Sequence, residues 1–270
     1  MSFVRPDRAL DYFPCRYGDC PTTFRGPAAP ASAGVIAVIG GSEVFGKYVE
    51  DPFCDQLAER LNRPVMNLGI VNGGIDAFVH DEALLTLLGD TAEVIVQAMG
   101  AANLSNRFYT VHPRRNDRFL RHSAMLGSLF PQVDFSDFTF VRHMLSTLKG
   151  ADPVAFDHVR QELRAAWIAR MRLLLSRIPV RKTLLCLERP ATGPLGAEPL
   201  FVDREMLQVV DRLVDRVVRC ELDQLGPGDL NRMIFGQRER PAAERSIGPQ
   251  SHDRVADILA GMMEGDDERD

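Results

Sequence analysis

The sequence predicts one three-layer α/β domain built on a parallel sheet, and three observations carry that prediction. Short apolar, β-branched runs alternate with segments of helical period. Each of the first three runs ends in glycine or a small residue followed by a polar side chain. The chain has 270 residues, 45% of them hydrophobic and 26% charged, enough for a core that needs no disulfide or metal.

The first run is Val35-Ile36-Ala37-Val38-Ile39, which enters Gly40-Gly41-Ser42. It reads as a buried strand and a tight turn that leaves Ser42 at the carboxyl edge of the sheet, where ligands of open α/β sheets bind. Phe53, Leu57, Ala58 and Leu61 follow with helical spacing as far as Asn62 and Pro64. Val65 to Ile70 is the second strand, leading to the turn Asn72-Gly73-Gly74. Phe78 to Leu88 reads as a helix, and Ala92 to Gly100 as a third strand that ends at Asn103. Strand–helix alternation of this kind implies right-handed crossovers.

Residues 104–150 interrupt the alternation. They are rich in Phe, Arg and His, with Pro113 and Pro131 as breakers. An insertion beyond the carboxyl end of a strand forms a lid or pocket wall. Pro153 then opens an amphipathic helix whose buried stripe includes Leu163, Trp167, Met171, Leu174 and Ile178. Thr183 to Leu187 is the fourth strand, closed by Glu188-Arg189-Pro190. Asp203 to Arg219 reads as a helix, with a last edge strand within 217–225. The Gly/Pro-punctuated loop 226–250 delivers Ser251-His252-Asp253 to a terminal helix marked by Val255, Ile258, Leu259 and Met262. The domain therefore spans 35–262. Residues 1–34 carry five prolines among aromatic side chains and read as an ordered arm, draped on the domain or on a second subunit. Residues 263–270 form a flexible acidic tail.

A net charge of −5 does not favour nucleic acid or an anionic membrane. The N-terminus holds no apolar export signal and no stretch approaches a membrane span, so the expected location is the cytoplasm. The five cysteines are scattered, read as free thiols, and match no zinc spacing. No metal and no cofactor is expected. The cluster Arg107, Arg114, Arg115, Arg118 and Arg121 sits in the insertion. It suits either a solvated face or the recognition of an acidic ligand.

Ser42, Asn103 and His252 are the polar groups that a flavodoxin-like arrangement gathers in one cleft. A serine hydroxyl attacks a carbonyl once a base takes its proton, and histidine suits that task near neutral pH. Turn N–H groups and an amide suit the oxyanion that develops. Alone, Ser42 reads as a helix N-cap; Gly73, Asn103 and His252 beside it turn the reading toward an active-site residue.

The order Gly-x-Ser after strand one, Asn-x-Gly after strand two, Asn103 after Gly100 and His before the last helix resembles the SGNH (GDSL-type) hydrolases. That family has a flavodoxin-like fold and contains esterases, lipases and carbohydrate deacetylases. The resemblance implies Ser42 as nucleophile, His252 as base, and an oxyanion hole from the Ser42 and Gly73 N–H groups and the Asn103 amide, with Gly69 as the alternative to Gly73. It implies a small-molecule or carbohydrate O-acyl ester as substrate. The stretch Tyr17-Gly18 to Phe24-Arg25-Gly26-Pro27, with Gly-Gly-Ser-Glu-Val-Phe-Gly, is similar to an uncharacterised bacterial family with an SGNH-like core.

This sequence departs from the SGNH pattern in three places. Gly41 stands where that family has an acid before the serine, and Asn103 lies three residues after Gly100 rather than two. Pro249 stands where the family has an acid three residues before the histidine. Glu244, Asp253 and Glu188 are the acids left to orient the base or contact substrate, beside Arg107, Arg114 and Arg115. Loss of the orienting acid makes a non-catalytic binding module the second reading. A third uses Gly41 to Lys47, which fits Gly-x4-Gly-Lys of a phosphate-binding loop, although Tyr48 follows where a metal-binding hydroxyl belongs. A homo-oligomer through the N-terminal arm is the expected assembly.

Overall fold

The computed structural model describes residues 10–30 and 34–267, with side chains to 265. Five parallel strands form the sheet: β1 (Ile36–Gly40), β2 (Val65–Gly69), β3 (Glu93–Gln97), β6 (Arg181–Glu188) and β7 (Arg216–Glu221). Their spatial order is β2-β1-β3-β6-β7. Counted along the chain this is 2-1-3-4-5, a doubly wound order whose crevice opens between β1 and β3. Two further strands, β4 (Tyr109–Val111) and β5 (Phe119–His122), form an antiparallel hairpin in the insertion.

Alternation along β1 builds the layers. Ala37 and Ile39 face one core, shared with α4 (Glu82–Gly89), α7 (Pro153–Arg177), α8 (Arg204–Asp211) and the insertion. Ile36 and Val38 face the other, shared with α2 (Phe53–Leu61) and α11 (Pro249–Asp267). All of these strand residues are fully buried, as strands covered on both faces must be. The result is the three-layer α/β fold that the sequence predicts.

Local chemistry sets the element ends. Pro153 starts α7, and the Asp152 carboxylate accepts the Val154 and Ala155 N–H groups at 2.9 Å. Trp167 is fully buried on its stripe and donates from Nε1 to the Met99 carbonyl at 2.6 Å. The segment expected as one helix from Phe78 to Leu88 is two, α3 (Asp76–Val79) and α4. The break comes at Asp81, whose carboxylate caps Leu84 N–H. The tail expected from 263 is helical as far as Asp267, the end of α11, with Met263 buried, and the helix expected over 203–219 ends at Asp211. Asp215 then accepts the Lys182 N–H at 2.7 Å and launches the β-branched run of β7. The insertion also holds α5 (Ala124–Leu129) and α6 (Val141–Ala151), and the loop before α11 holds α9 (Pro227–Arg232) and α10 (Arg240–Ala243). The five cysteines are free, and Cys54 and Cys186 are buried.

The described part of the arm, residues 10–30, packs on its own domain. Cys15 and Phe24 pair across it in an isolated antiparallel bridge. Arg25, 4% exposed, drives its guanidinium under the loop that follows α1 (Ser42–Phe45). It donates to the carbonyls of Phe45, Gly46, Val49 and Glu50 at 2.6 to 3.3 Å. Tyr12 completes the lock: its ring lies 5.0 Å from Phe45, and its hydroxyl accepts Tyr48 N–H.

Candidate functional site

Ser42 is the first residue of α1, half-buried at the carboxyl end of β1 and beside the crevice between β1 and β3. Two close approaches draw the neighbouring strand ends toward it. A Cβ on Gly69 would stand 2.2 Å from Phe45 N, so only glycine lets β2 end against α1. A Cβ on Gly74 would stand 2.1 Å from the Asn103 carbonyl oxygen, so the turns after β2 and β3 touch. The sequence thus brings Ser42, the Gly73-Gly74 turn and Asn103 to one edge.

The hydroxyl of Ser42 is spent on its neighbour. Its Oγ accepts Asn72 N–H at 2.8 Å and faces Asn72 Oδ1 at 3.3 Å, to which it donates. Asn72 has φ +57, the left-handed turn conformation that asparagine tolerates. Its Nδ2 donates to Asp117 Oδ2 at 3.2 Å. Asp117 belongs to the turn of the β4–β5 hairpin, and its other oxygen is buried without a hydrogen-bond partner among the described residues. Next to it, the fully buried Asn116 accepts Gly74 N–H at 2.7 Å and donates to the carbonyls of His112 and Pro113. The insertion is therefore stitched to the β2 turn beside Ser42. On the other flank, Gln97 Oε1 accepts Gly41 N–H while its Nε2 donates to Glu43. Glu43 in turn pairs with Arg189 at 3.2 Å.

His252 is not bonded to Ser42. Helix α11 starts at Pro249, so the histidine is inside its first turn rather than on a loop before it. It is fully buried and stacks 5.7 Å from the Phe53 ring. Its Nδ1 accepts Phe53 N–H at 3.0 Å, capping α2 where Pro52 has no side chain to do so. Its Nε2 is buried and has no partner among the described residues, so the expected Ser42–His252 hydrogen bond is not formed. Burial, and then the Arg25 charge, push the imidazole pKa down to about 3. A base held that low is poorly matched to a serine proton at neutral pH.

The acids proposed to orient it point away. Asp253 accepts from Arg60 at 2.6 Å, and Glu244 pairs with Arg240 at 2.9 Å within one exposed helical turn. Glu188 binds Arg219 in a bidentate pair at 2.8 and 2.9 Å. It lines a cavity of about 640 Å³ beyond the ends of β6 and β7, with Arg189, Pro199, Leu207 and Leu222. The oxyanion donors fare unevenly. Gly73 N–H is taken by the Ile70 carbonyl at 2.8 Å, and Gly69 N–H by Asn67 Oδ1 at 3.1 Å. The N–H of Ser42, at the start of a helix, has no intrahelical acceptor, and the Asn103 amide has no hydrogen bond among the described residues. Arg107 pairs with Glu162, outside this cleft, whereas Arg114 and Arg115 are exposed on the hairpin turn two and one residues before Asn116.

The phosphate-loop reading loses its cradle at residues 45–49. A phosphate needs free N–H groups, yet those of Phe45, Gly46, Lys47, Tyr48 and Val49 all have acceptors within the chain. Lys47 pairs with Glu239 at 3.3 Å and lies over the Tyr48 ring. Among the described residues no group of three or more His, Cys, Asp or Glu could hold a metal ion. No helix among them is long and apolar enough to cross a membrane.

The family model for a domain of unknown function, DUF6473, matches residues 1–266. The chain belongs to this DUF6473 family. The match includes the arm, in keeping with the way Arg25 ties residues 10–30 to the loop after Ser42. The crystal structure of the lipase Lip_vut3 from a goat rumen metagenome is similar at 9% identity, with a TM-score of 0.45. The similarity covers 84% of this chain and 96% of the lipase. No curated protein matches.

Proposed function

We propose that this member of the DUF6473 family is a ligand-binding module that keeps an SGNH-like cleft at the β1–β3 crevice without the hydrolytic dyad. One observation carries the reading: His252 is sealed in the core as the cap of α2, its ring stacked on Phe53 and its Nδ1 occupied by Phe53 N–H. Without a base, the Ser42 hydroxyl keeps its proton and serves as a hydrogen-bonding group. The cleft then offers the Ser42 N–H and the Asn103 amide to a small polar ligand, with Arg114 and Arg115 exposed on the hairpin turn that Asn116 and Asp117 tie to this edge.

Hydrolysis of an O-acyl ester by Ser42, activated by His252, is the competing reading. It is favoured by the place of Ser42 at a strand-to-helix turn on the carboxyl edge and by the unpartnered Asn103 amide. A fluorophosphonate probe and short p-nitrophenyl esters, tested from neutral to alkaline pH, separate the two. The binding reading expects neither labelling nor turnover. Labelling of Ser42 that disappears in Ser42→Ala, together with ester turnover lost in the same variant, refutes it.

A further inference from the structure

The two edges of the sheet are treated differently. At one edge, four of the five residues of β2 are buried. At the other, β7 alternates, with Arg219 and Glu221 exposed. The direction of its backbone groups follows from one bond just past its end. Leu222 N–H donates to the Glu188 carbonyl at 2.8 Å, so the even-numbered residues of β7 face β6. Val217, Arg219 and Glu221 therefore turn their N–H and carbonyl groups outward. Among the described residues no backbone group from outside the sheet bonds them. An open strand edge of this kind is a template for another strand.

We propose that β7 pairs antiparallel with β7 of a second copy of this chain, joining two five-stranded sheets into one of ten strands. The charges choose the occupant and the register. Outward residues must meet outward residues across an antiparallel pair. Placing Arg219 against Arg219 sets like charges face to face, and placing Val217 against Arg219 leaves both charges unmatched. A shift that sets Arg219 against Glu221 matches both charges twice, once on each side of a two-fold axis through Cys220. The same shift sets Val218 beside Leu222, two apolar side chains on the opposite face. Such an edge is self-complementary, as a two-fold interface requires. Arg219 can serve both partners, because its Nε and Nη2 hold Glu188 while Nη1 has no assigned bond.

The layers beside the edge agree. On one face Val217, Leu213 and Val214 are only partly buried, and on the other Ile258 and Met262 are. Val209 of α8 is 40% exposed. A second copy continues both cores. The N-terminal arm, by contrast, spends Tyr12 and Arg25 on its own chain.

The test is the solution mass of the full chain by size exclusion with light scattering. The expected mass is twice the 30.1 kDa of one chain. Glu221→Arg sets guanidinium groups against each other and weakens the dimer about 100-fold. Val217→Pro removes an outward N–H that β6 does not use, so the edge strand tolerates it while the pairing is lost. Circular dichroism checks that both variants are folded. A monomer at about 100 µM wild-type protein overturns the proposal, as does a dimer that survives unchanged in both folded variants.

Discussion

The burial of His252 makes a pH-dependent stability prediction whose size follows from two groups. The folded chain holds the His252 pKa near 3, against an ordinary 6.5. As pH falls below 6.5 the unfolded chain takes up a proton that the folded chain refuses, so stability falls. Between pH 7 and pH 5 the loss is about 2 kcal/mol, and it approaches about 5 kcal/mol toward pH 3. Asp55, in the first turn of α2, opposes it. Burial raises its pKa from 3.8 to about 6, partly offset by Arg25. The folded chain binds that proton first, so stability rises as pH falls from 6 toward 3.8, by roughly 1 kcal/mol once partial exposure is discounted. The wild type should therefore show a shallow slope between pH 7 and 5. Asp55→Asn should expose the full His252 loss, and His252→Gln added to it should flatten the profile. Urea unfolding at the two pH values measures each. An Asp55→Asn variant as stable at pH 5 as at pH 7 would mean that the imidazole is hydrated and titrates normally, and the reasoning fails.

Other outcomes follow from single contacts. Arg25→Ala removes the shared donor of four loop carbonyls, with those of Gly46 and Val49 at buried bonds, and should cost roughly 3 kcal/mol, read as a lower melting temperature and faster proteolysis within 45–52. Asn116→Ala orphans Gly74 N–H and should cost about 1–3 kcal/mol, with faster hydrogen exchange at the β2 turn. Magnesium nucleotides should give no thermal shift, and Lys47→Ala should change nothing in that assay. A shift lost in the variant would revive a phosphate site.

The sheet was legible in the sequence because its strands are short and apolar, the first two ended by glycine, and two-sided burial leaves such apolar runs. The strand ends were legible for the same reason: Gly69 and Gly74 sit where backbones nearly touch. The place of His252 was not legible because a histidine before an apolar helical run looks the same whether it faces a cleft or caps a neighbour from inside. The difference lies in where α11 starts, and Pro249 as a helix opener is the signal that tells them apart. Asn72 reads as a turn residue, which it is, but its second role as the partner of Ser42 depends on a tertiary contact with no sequence period. Asp117 stands out only as the lone acid in an arginine-rich run. Arg25 offers no signal at all, since carbonyl groups are common to every residue it binds.

That last point bears on how the chain can vary. Arg25 grips the loop after Ser42 through main-chain oxygens and ignores its side chains. It acts as a template for shape rather than for composition. Exposed Glu50 is then free to drift in identity while the path of the backbone stays put. Constraint concentrates instead in one arginine twenty residues upstream, so a deletion trimmed to the first strand would remove the mould and keep the cast.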